Sequence, residues 1–269
     1  MSFVDRIENG LLGIIDRVFE RRPQAAPDER SLARCRVVSH RGEHDGRLIL
    51  ENTLPAFDAA LARGVWGIEG DIRWTRDLAP VVIHDADLRR VFGLPRTVAA
   101  CTLAALQRDC PQLPTLAEVI GRYGGKAHLM LEIKREPYPD PGRQNRILQD
   151  LLAGLAPGRD FHLLSLAPEM FRLTPFAPRC ACLPVARLNV PRLSRLALQA
   201  GFAGVAGHYA LVGAAAIRRH HAAGQRVGTG YPRSLPVLVR ELNRQVDWIF
   251  SNHAGRVQSW IRRLQRSSE

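Results

Sequence analysis

From residue 35 onward, short apolar runs alternate with longer segments of helical spacing, and this alternation constrains the chain more than any other feature. The runs cover residues 36–40, 67–72, 127–134, 161–166, 180–186, 202–206, 226–230 and 246–251. Helix-like segments lie between them, such as 53–63, 103–107, 116–123, 144–155, 168–173, 190–200, 214–223 and 235–244. Strand and helix in alternation call for a parallel sheet with crossover helices. Eight repeats predict an α/β chain closed as a TIM (β/α)8 barrel rather than an open doubly wound sheet. One further run, 80–84, follows the second strand after only Thr75-Arg76-Asp77 and a few residues more. No helix fits in that space, so the run is expected to form a hairpin arm above the barrel.

Residues 2–22 read as an N-terminal amphipathic helix. Phe3, Ile7, Leu11, Ile14, Ile15, Val18 and Phe19 recur at steps of three and four, and Ser2 with Asp5 resembles a capping box. A stretch rich in Pro, Ala, Asp and Arg then reads as a linker, which divides the chain into 1–34 and a barrel over 35–269. The helix is expected to pack across one end of the barrel, because its polar side mixes acids with bases. Peripheral membrane contact through residues 2–22 is the other reading.

Composition excludes several classes. With 46% hydrophobic and 24% charged residues, the chain is neither disordered, collagen-like nor coiled coil. No apolar stretch approaches the roughly 18 residues of a membrane span. The net charge of +12 raises nucleic acid, anionic membranes and phosphate-bearing substrates as partners. Arginines are spread along the whole length, aromatics are 6%, and no zinc pattern or helix-turn-helix appears, so no nucleic-acid partner is expected. The five cysteines are odd in number and scattered, unlike a disulfide framework. Cys180 and Cys182 are expected on one face of a buried strand. Asp5, Arg6 and Glu8 precede any apolar run, which is not a secretory pattern, and a cytoplasmic protein is expected.

In such barrels chemistry sits at the C-terminal ends of the strands. The first run ends Ser39-His40-Arg41-Gly42, the second contains Glu69-Gly70-Asp71, the arm ends His84-Asp85, and the 127–134 run ends Glu132-Ile133-Lys134. Each alone has an ordinary reading as a solvated strand face, a turn or an ion pair. Together they occupy the strand ends of one barrel in compatible order. Residues two apart share a face, so Glu69 pairs with Asp71 and Glu132 with Lys134. If both pairs face the lumen, three carboxylates converge at one mouth. Three oxygen donors without cysteine suit a hard cation such as Mg²⁺ or Ca²⁺ better than zinc. Lys134 and Arg41 would suit a phosphate, and His40 and His84 can exchange protons near neutral pH.

The order His40-Arg41-Gly42, Glu51-Asn52-Thr53, Glu69-x-Asp71, Thr75-x-Asp77, Val81-Val82-Ile83-His84-Asp85, Pro114-Thr115-Leu116-x-Glu118 and Glu132-Ile133-Lys134 resembles the glycerophosphodiester phosphodiesterases, densely over residues 37–134. The resemblance implies a TIM barrel that uses one divalent cation to hydrolyse small glycerophosphodiesters to glycerol 3-phosphate and an alcohol. It implies Glu69, Asp71 and Glu132 as metal ligands and His40 and His84 as the acid–base pair. Arg41 and Lys134 would hold phosphate, and Glu51 would complete the metal-site environment. Mg²⁺ or Ca²⁺ is expected, with Mn²⁺ also open.

The chain departs from the family pattern in the longer 43–50 loop, which carries His44, read as a solvated loop residue. It departs again where Gly228-Thr229-Gly230-Tyr231-Pro232 and Ser251-Asn252-His253-Ala254 replace the usual endings. Tyr231, His208 and His253 are therefore candidates for an altered substrate wall, and His162, His220 and His221 read as structural. The alternative substrate is a lysophospholipid, cleaved in lysophospholipase D fashion at a membrane. The apolar Leu48-Ile49-Leu50 tip speaks for it. Oligomeric state cannot be read from the sequence.

Overall fold

Each barrel strand divides its side chains between two apolar environments, and the two-residue period of a strand decides which residue goes where. The structure, a computed structural model, describes residues 18–266. Its strands are β1 (Arg36–His40), β2 (Gly67–Trp74), β3 (Pro80–Val82), β4 (His128–Ile133), β5 (Phe161–Ser165), β6 (Cys182–Ala186), β7 (Gly204–His208), β8 (Arg226–Gly230) and β9 (Trp248–Ser251). The helices are α1 (Glu29–Arg34), α2 (Leu54–Ala62), α3 (Arg89–Phe92), α4 (Leu103–Asp109), α5 (Leu116–Tyr123), α6 (Pro141–Leu152), α7 (Val190–Ala200), α8 (Ala214–Ala222), α9 (Leu235–Asn243) and α10 (Ala254–Arg266). Eight strands pair in parallel in the order β1-β9-β8-β7-β6-β5-β4-β2, and β1 pairs with β2 to close the barrel. This is the predicted TIM barrel.

Outward residues of the strands, among them Val37, Ile68, Leu129, Leu131, Phe161, Val205 and Ile249, join the helices in the main core. The alternate residues fill the lumen: Val38, Met130, Leu164, Leu183, Ala206, Trp248 and Phe250 form a separate cluster. The hairpin arm is also as expected. β3 runs antiparallel to β2, with Ile72 opposite Val82 and Trp74 opposite Pro80. Asp77 fastens the turn by accepting from the Thr75 hydroxyl at 2.6 Å and from the Leu103 amide at 3.0 Å. The arm's Val81 and residues after the arm bury a third cluster, with Ile83, Leu88, Val98, Leu106, Cys110 and Leu113, so the insertion has its own small core.

The motif residues Thr115 and Glu118 form a reciprocal capping box at the start of α5. Gly42 has φ +82°, and a Cβ there would lie 2.6 Å from that of Ala56, so the turn after His40 can press against α2 only with glycine.

Several elements differ from the sequence reading. The stretch read as a linker contains α1, capped by Asp28, which accepts from the Ser31 amide at 2.7 Å, and Leu32 is buried. The α3 turn was not expected. Residues 168–173 form a 3₁₀ helix, in a segment where Pro168, Pro175 and Pro178 restrict the backbone. Cys180 and Cys182 do not share a buried face. Cys182 opens β6, opposite Leu163, whereas Cys180 is exposed in a preceding 3₁₀ turn.

Residues 1–17 of the predicted N-terminal helix lie outside the described residues. Its final turn, 18–20, packs on the barrel's flank, where the Phe19 ring meets Tyr209 edge-on at 6.0 Å and lies under Arg240. Among the described residues, no helix is long and apolar enough to cross a membrane.

Candidate active site

Strand register assembles the site. His40 at the end of β1 lies opposite Glu69 of β2, and Asp71 lies opposite Glu132 of β4. All four positions face the lumen; His40 and Glu132 lie two residues beyond Val38 and Met130 on their strands, and Glu69 is in register with Met130. Glu69, Asp71 and Glu132 each offer an oxygen, and these three atoms lie within 4.8 Å of one another. All three residues are buried.

Two cations sit against this acidic cluster. Lys134 Nζ is 2.6 Å from Asp71 Oδ1 and 2.8 Å from Glu132 Oε1. The Arg41 backbone amide donates to the Glu69 carbonyl at 3.0 Å and to the Glu69 carboxylate at 3.2 Å. Arg41 Nε lies 3.3 Å from Asp71 Oδ2. The Asn52 amide also donates to Asp71 Oδ2 at 2.8 Å.

Three carboxylates face two cations, and the imbalance appears in proton affinity. Burial, reinforced by Asp71 and Glu132, raises Glu69 well above the usual carboxylate range. Burial also raises Glu132, against the attraction of Lys134. Asp71 goes the other way: burial disfavours its charge, but Lys134 and Arg41 together hold it ionised below the usual range. A buried oxygen-donor cluster one positive charge short can hold a divalent metal ion.

Both predicted histidines flank the cluster, and each is fixed through Nδ1. His40 Nδ1 lies 2.5 Å from Asn252 Oδ1, while its Nε2 is 3.8 Å from Glu69. His84 Nδ1 lies 2.7 Å from Asp85 Oδ1. Arg73 donates from Nε to the His84 carbonyl at 2.8 Å, tying the arm's end to β2. Burial and the neighbouring Arg41 charge push His40 down to about 3, and burial with Lys134 lowers His84. Tyr231 packs edge-on to His40, with ring centroids 5.0 Å apart, and roofs the lumen cluster.

Glu51 is not one of the converging carboxylates. It accepts from Arg41 at 3.1 Å and from Arg90 at 2.6 and 2.9 Å, so it bears on the cluster through Arg41. Burial opposes its charge, but the Arg90 hydrogen bond and the Arg41 charge bring its pKa down to about 2. Arg90 grips Asp85 as well, at 2.6 Å.

Of the remaining histidines, His44 is half-buried near Glu51, and His208 ends β7 with its ring tilted 33° to that of Tyr209, centroids 4.5 Å apart. His253 is exposed beside the last strand. His162, His220 and His221 have structural partners in His128, Ser194 with Gln225, and Asp247 respectively. Two polar residues of the site went unnoticed in the sequence. Asn252 could have been found by asking what the last strand ends with, whereas nothing near Arg90 signals its double grip.

Comparison with known proteins bears on the barrel and on one segment of the chain. Residues 40–160 match the glycerophosphoryl diester phosphodiesterase family model. A glycerophosphodiester phosphodiesterase of Caldanaerobacter subterraneus is 33% identical over 125 residues, 42% of this chain and 51% of that protein. A human lysophospholipase D is 33% identical over 120 residues, 44% of this chain and 35% of that protein. The chain spans about half the length of the first curated relatives it matches. Among solved structures, an Oleispira antarctica phosphodiesterase in complex with sn-glycerol-3-phosphate superposes with a TM-score of 0.67 at 23% identity, over 84% of this chain and 96% of that one. A glycerophosphodiester phosphodiesterase of Agrobacterium tumefaciens gives 0.69 at 23% identity, over 84% and 99%. The shared barrel and the matched segment make residues 40–160 similar to the glycerophosphodiester phosphodiesterase family.

Proposed function

We propose that the protein is a metal-dependent phosphodiesterase that hydrolyses glycerophosphodiesters to glycerol 3-phosphate and an alcohol. The observation that carries this reading is the buried Glu69–Asp71–Glu132 cluster, flanked by two histidines whose Nδ1 atoms are both engaged. In this reading the three carboxylates hold one divalent cation, Mg²⁺ or Ca²⁺ on the oxygen-donor argument, with Mn²⁺ also acceptable. Such an ion, when bound, polarises the phosphoryl group and eases deprotonation of a hydroxyl nearby. Arg41 and Lys134 orient the phosphate and offset its charge. His40 and His84, each anchored at Nδ1, use Nε2 to take a proton from the nucleophile and return one to the leaving alcohol. Such help is typically worth about 10²–10⁴-fold. Tyr231 lines the wall beside His40.

A panel of phosphodiesters assayed with Mg²⁺, Ca²⁺ and Mn²⁺ tests the proposal. Turnover of glycerophosphocholine that is lost with chelator, with His40→Ala and with His84→Ala is expected. Full activity in any of these three would refute the assignment.

A second reading, lysophospholipid hydrolysis, is favoured by one feature. Leu48, Leu166 and Leu188 are 91%, 42% and 64% exposed in the loops after β1, β5 and β6, at the same mouth as the carboxylates. An acyl chain needs such a landing surface. Leu48→Ser with Leu188→Ser should then lower activity on lysophosphatidylcholine and spare glycerophosphocholine. An equal effect on both substrates would sink this reading.

A further inference from the structure

At the opposite end of the barrel, the lumen opens into a cavity of about 380 Å³ walled by Arg34, Arg36, Trp66, Arg159, Arg226 and Trp248. That volume lies within the roughly 300–1,000 Å³ of small-molecule sites. The lumen layer of Val38, Met130, Leu164, Leu183, Ala206 and Phe250 separates it from the carboxylates. None of its lining residues belongs to the upper site.

The charge of this mouth is unbalanced. Four arginines line it with a single carboxylate, Asp247. Asp247 is already engaged by Arg34 at 2.7 Å, by His221 at 2.9 Å and by the Val227 amide at 2.8 Å. Arg159 is paired with Asp160 at 3.0 Å. Arg36 and Arg226 remain. They open β1 and β8 on the lumen-facing alternation that continues to Val38 and Gly228, and both are exposed. Among the described residues neither has a carboxylate partner, and the Arg226 guanidinium lies 5.5 Å from the Trp248 ring.

The walls are stiff and flat. Trp66 stacks on His128 at 4.2 Å, and His162 meets Trp248 at 5.1 Å. The His128–His162 hydrogen bond of 2.7 Å joins the two indoles through a floor that carries no negative charge. Paired guanidinium forks match phosphate geometry, and indole surfaces accept a planar ring.

We propose that this lower mouth is a second, non-catalytic binding site for a phosphate ester carrying a flat ring, the chemistry of a mononucleotide. Its phosphate sits between Arg36 and Arg226, and its ring lies against the partly exposed indole of Trp66, while the buried Trp248 closes the cavity beneath Arg226.

Titration of the full chain with adenosine 5′-monophosphate and with inorganic phosphate, read by intrinsic fluorescence, tests this, since two of the four tryptophans line the cavity. The nucleotide should bind saturably and more tightly than phosphate. Arg36→Glu with Arg226→Glu should weaken it by about tenfold or more, as expected when both forks are reversed. Arg192→Glu with Arg195→Glu, the same charge change on the exposed face of α7, should leave it within about twofold. Unchanged binding in the first variant, or equal loss in both, would overturn the site. Phosphate binding as tightly as the nucleotide would overturn the ring-bearing ligand. Circular dichroism checks folding, and Arg36→Ala with Arg226→Ala carries the test if the charge reversal does not fold.

Discussion

Asn252 Oδ1 lies 2.5 Å from His40 Nδ1, although the two residues are 212 positions apart. Pairing of β1 with β9, Ser39 opposite Ser251, is what brings them together. An amide oxygen can only accept, so Nδ1 carries the proton and Nε2 is left free on the side of Glu69.

Asn252→Ala should therefore lower kcat by roughly 10–100-fold, the usual cost of removing a group that orients a site residue. KM should change little. Steady-state kinetics decide the matter, and a kcat within twofold of the parent would remove Asn252 from its positioning role.

Arg90 couples two neighbours of the site, because its guanidinium binds both Glu51 and Asp85. Arg90→Ala loosens Arg41 through Glu51 and His84 through Asp85 in one step. Activity should fall by about tenfold, and Arg90→Lys should not restore it, since an ammonium cannot span two carboxylates as a fork does. Rescue by lysine would show that charge alone matters there.

The shortage of positive charge among Glu69, Asp71 and Glu132 predicts that a divalent cation stabilises the fold. At a cation concentration about 100 times Kd the gain is about 2.7 kcal/mol, or roughly 5–10 °C in Tm for a chain of this size. Differential scanning calorimetry with and without chelator measures it. Glu69→Gln should abolish the increment together with turnover, and a full increment in that variant would argue against Glu69 as a ligand.

His128 and His162 predict the pH response of stability. Burial, with Arg226 acting on both and His128 on His162, depresses their pKa values from 6.5 to about 4 and about 3. The unfolded chain thus takes up protons first. Their contribution is complete above about pH 6.5 and is lost as pH falls toward 4 and below. His162→Gln keeps a donor for His128 but removes one titrating ring. It should shift acid unfolding, followed by circular dichroism, to lower pH, and a shift to higher pH would contradict the assignment.

Much of this was legible because a strand's period is two. Glu69 with Asp71, and Glu132 with Lys134, had to share a face, and the barrel made that face the lumen. The arm at Pro80 followed from chain length alone. Other features depend on long-range contact and leave no local trace. Arg90 reads as one more surface arginine until Glu51 and Asp85 are seen beside it. The helix at Glu29 hid behind Pro27 and a short polar stretch, and its stability comes from Leu32 reaching the barrel core. Cys180 follows two prolines and Arg179, and a turn there outweighs the alternation that seemed to extend β6 to it.

The insertion after β2 has a hydrophobic core of its own, and His84 stands at its base, whereas the carboxylates belong to the barrel. On the proposed function, one of the two histidines is therefore held by a unit packed apart from the barrel that carries His40 and the carboxylates. Small packed units often open at lower free energy than the whole domain. On warming, proton transfer should fail first while the cation remains bound, so that inactivation precedes the loss of barrel circular dichroism by several degrees. On the proposed function, the temperature limit of catalysis would then be set by the lobe whose core runs from Val81 to Leu113, not by the barrel that carries it.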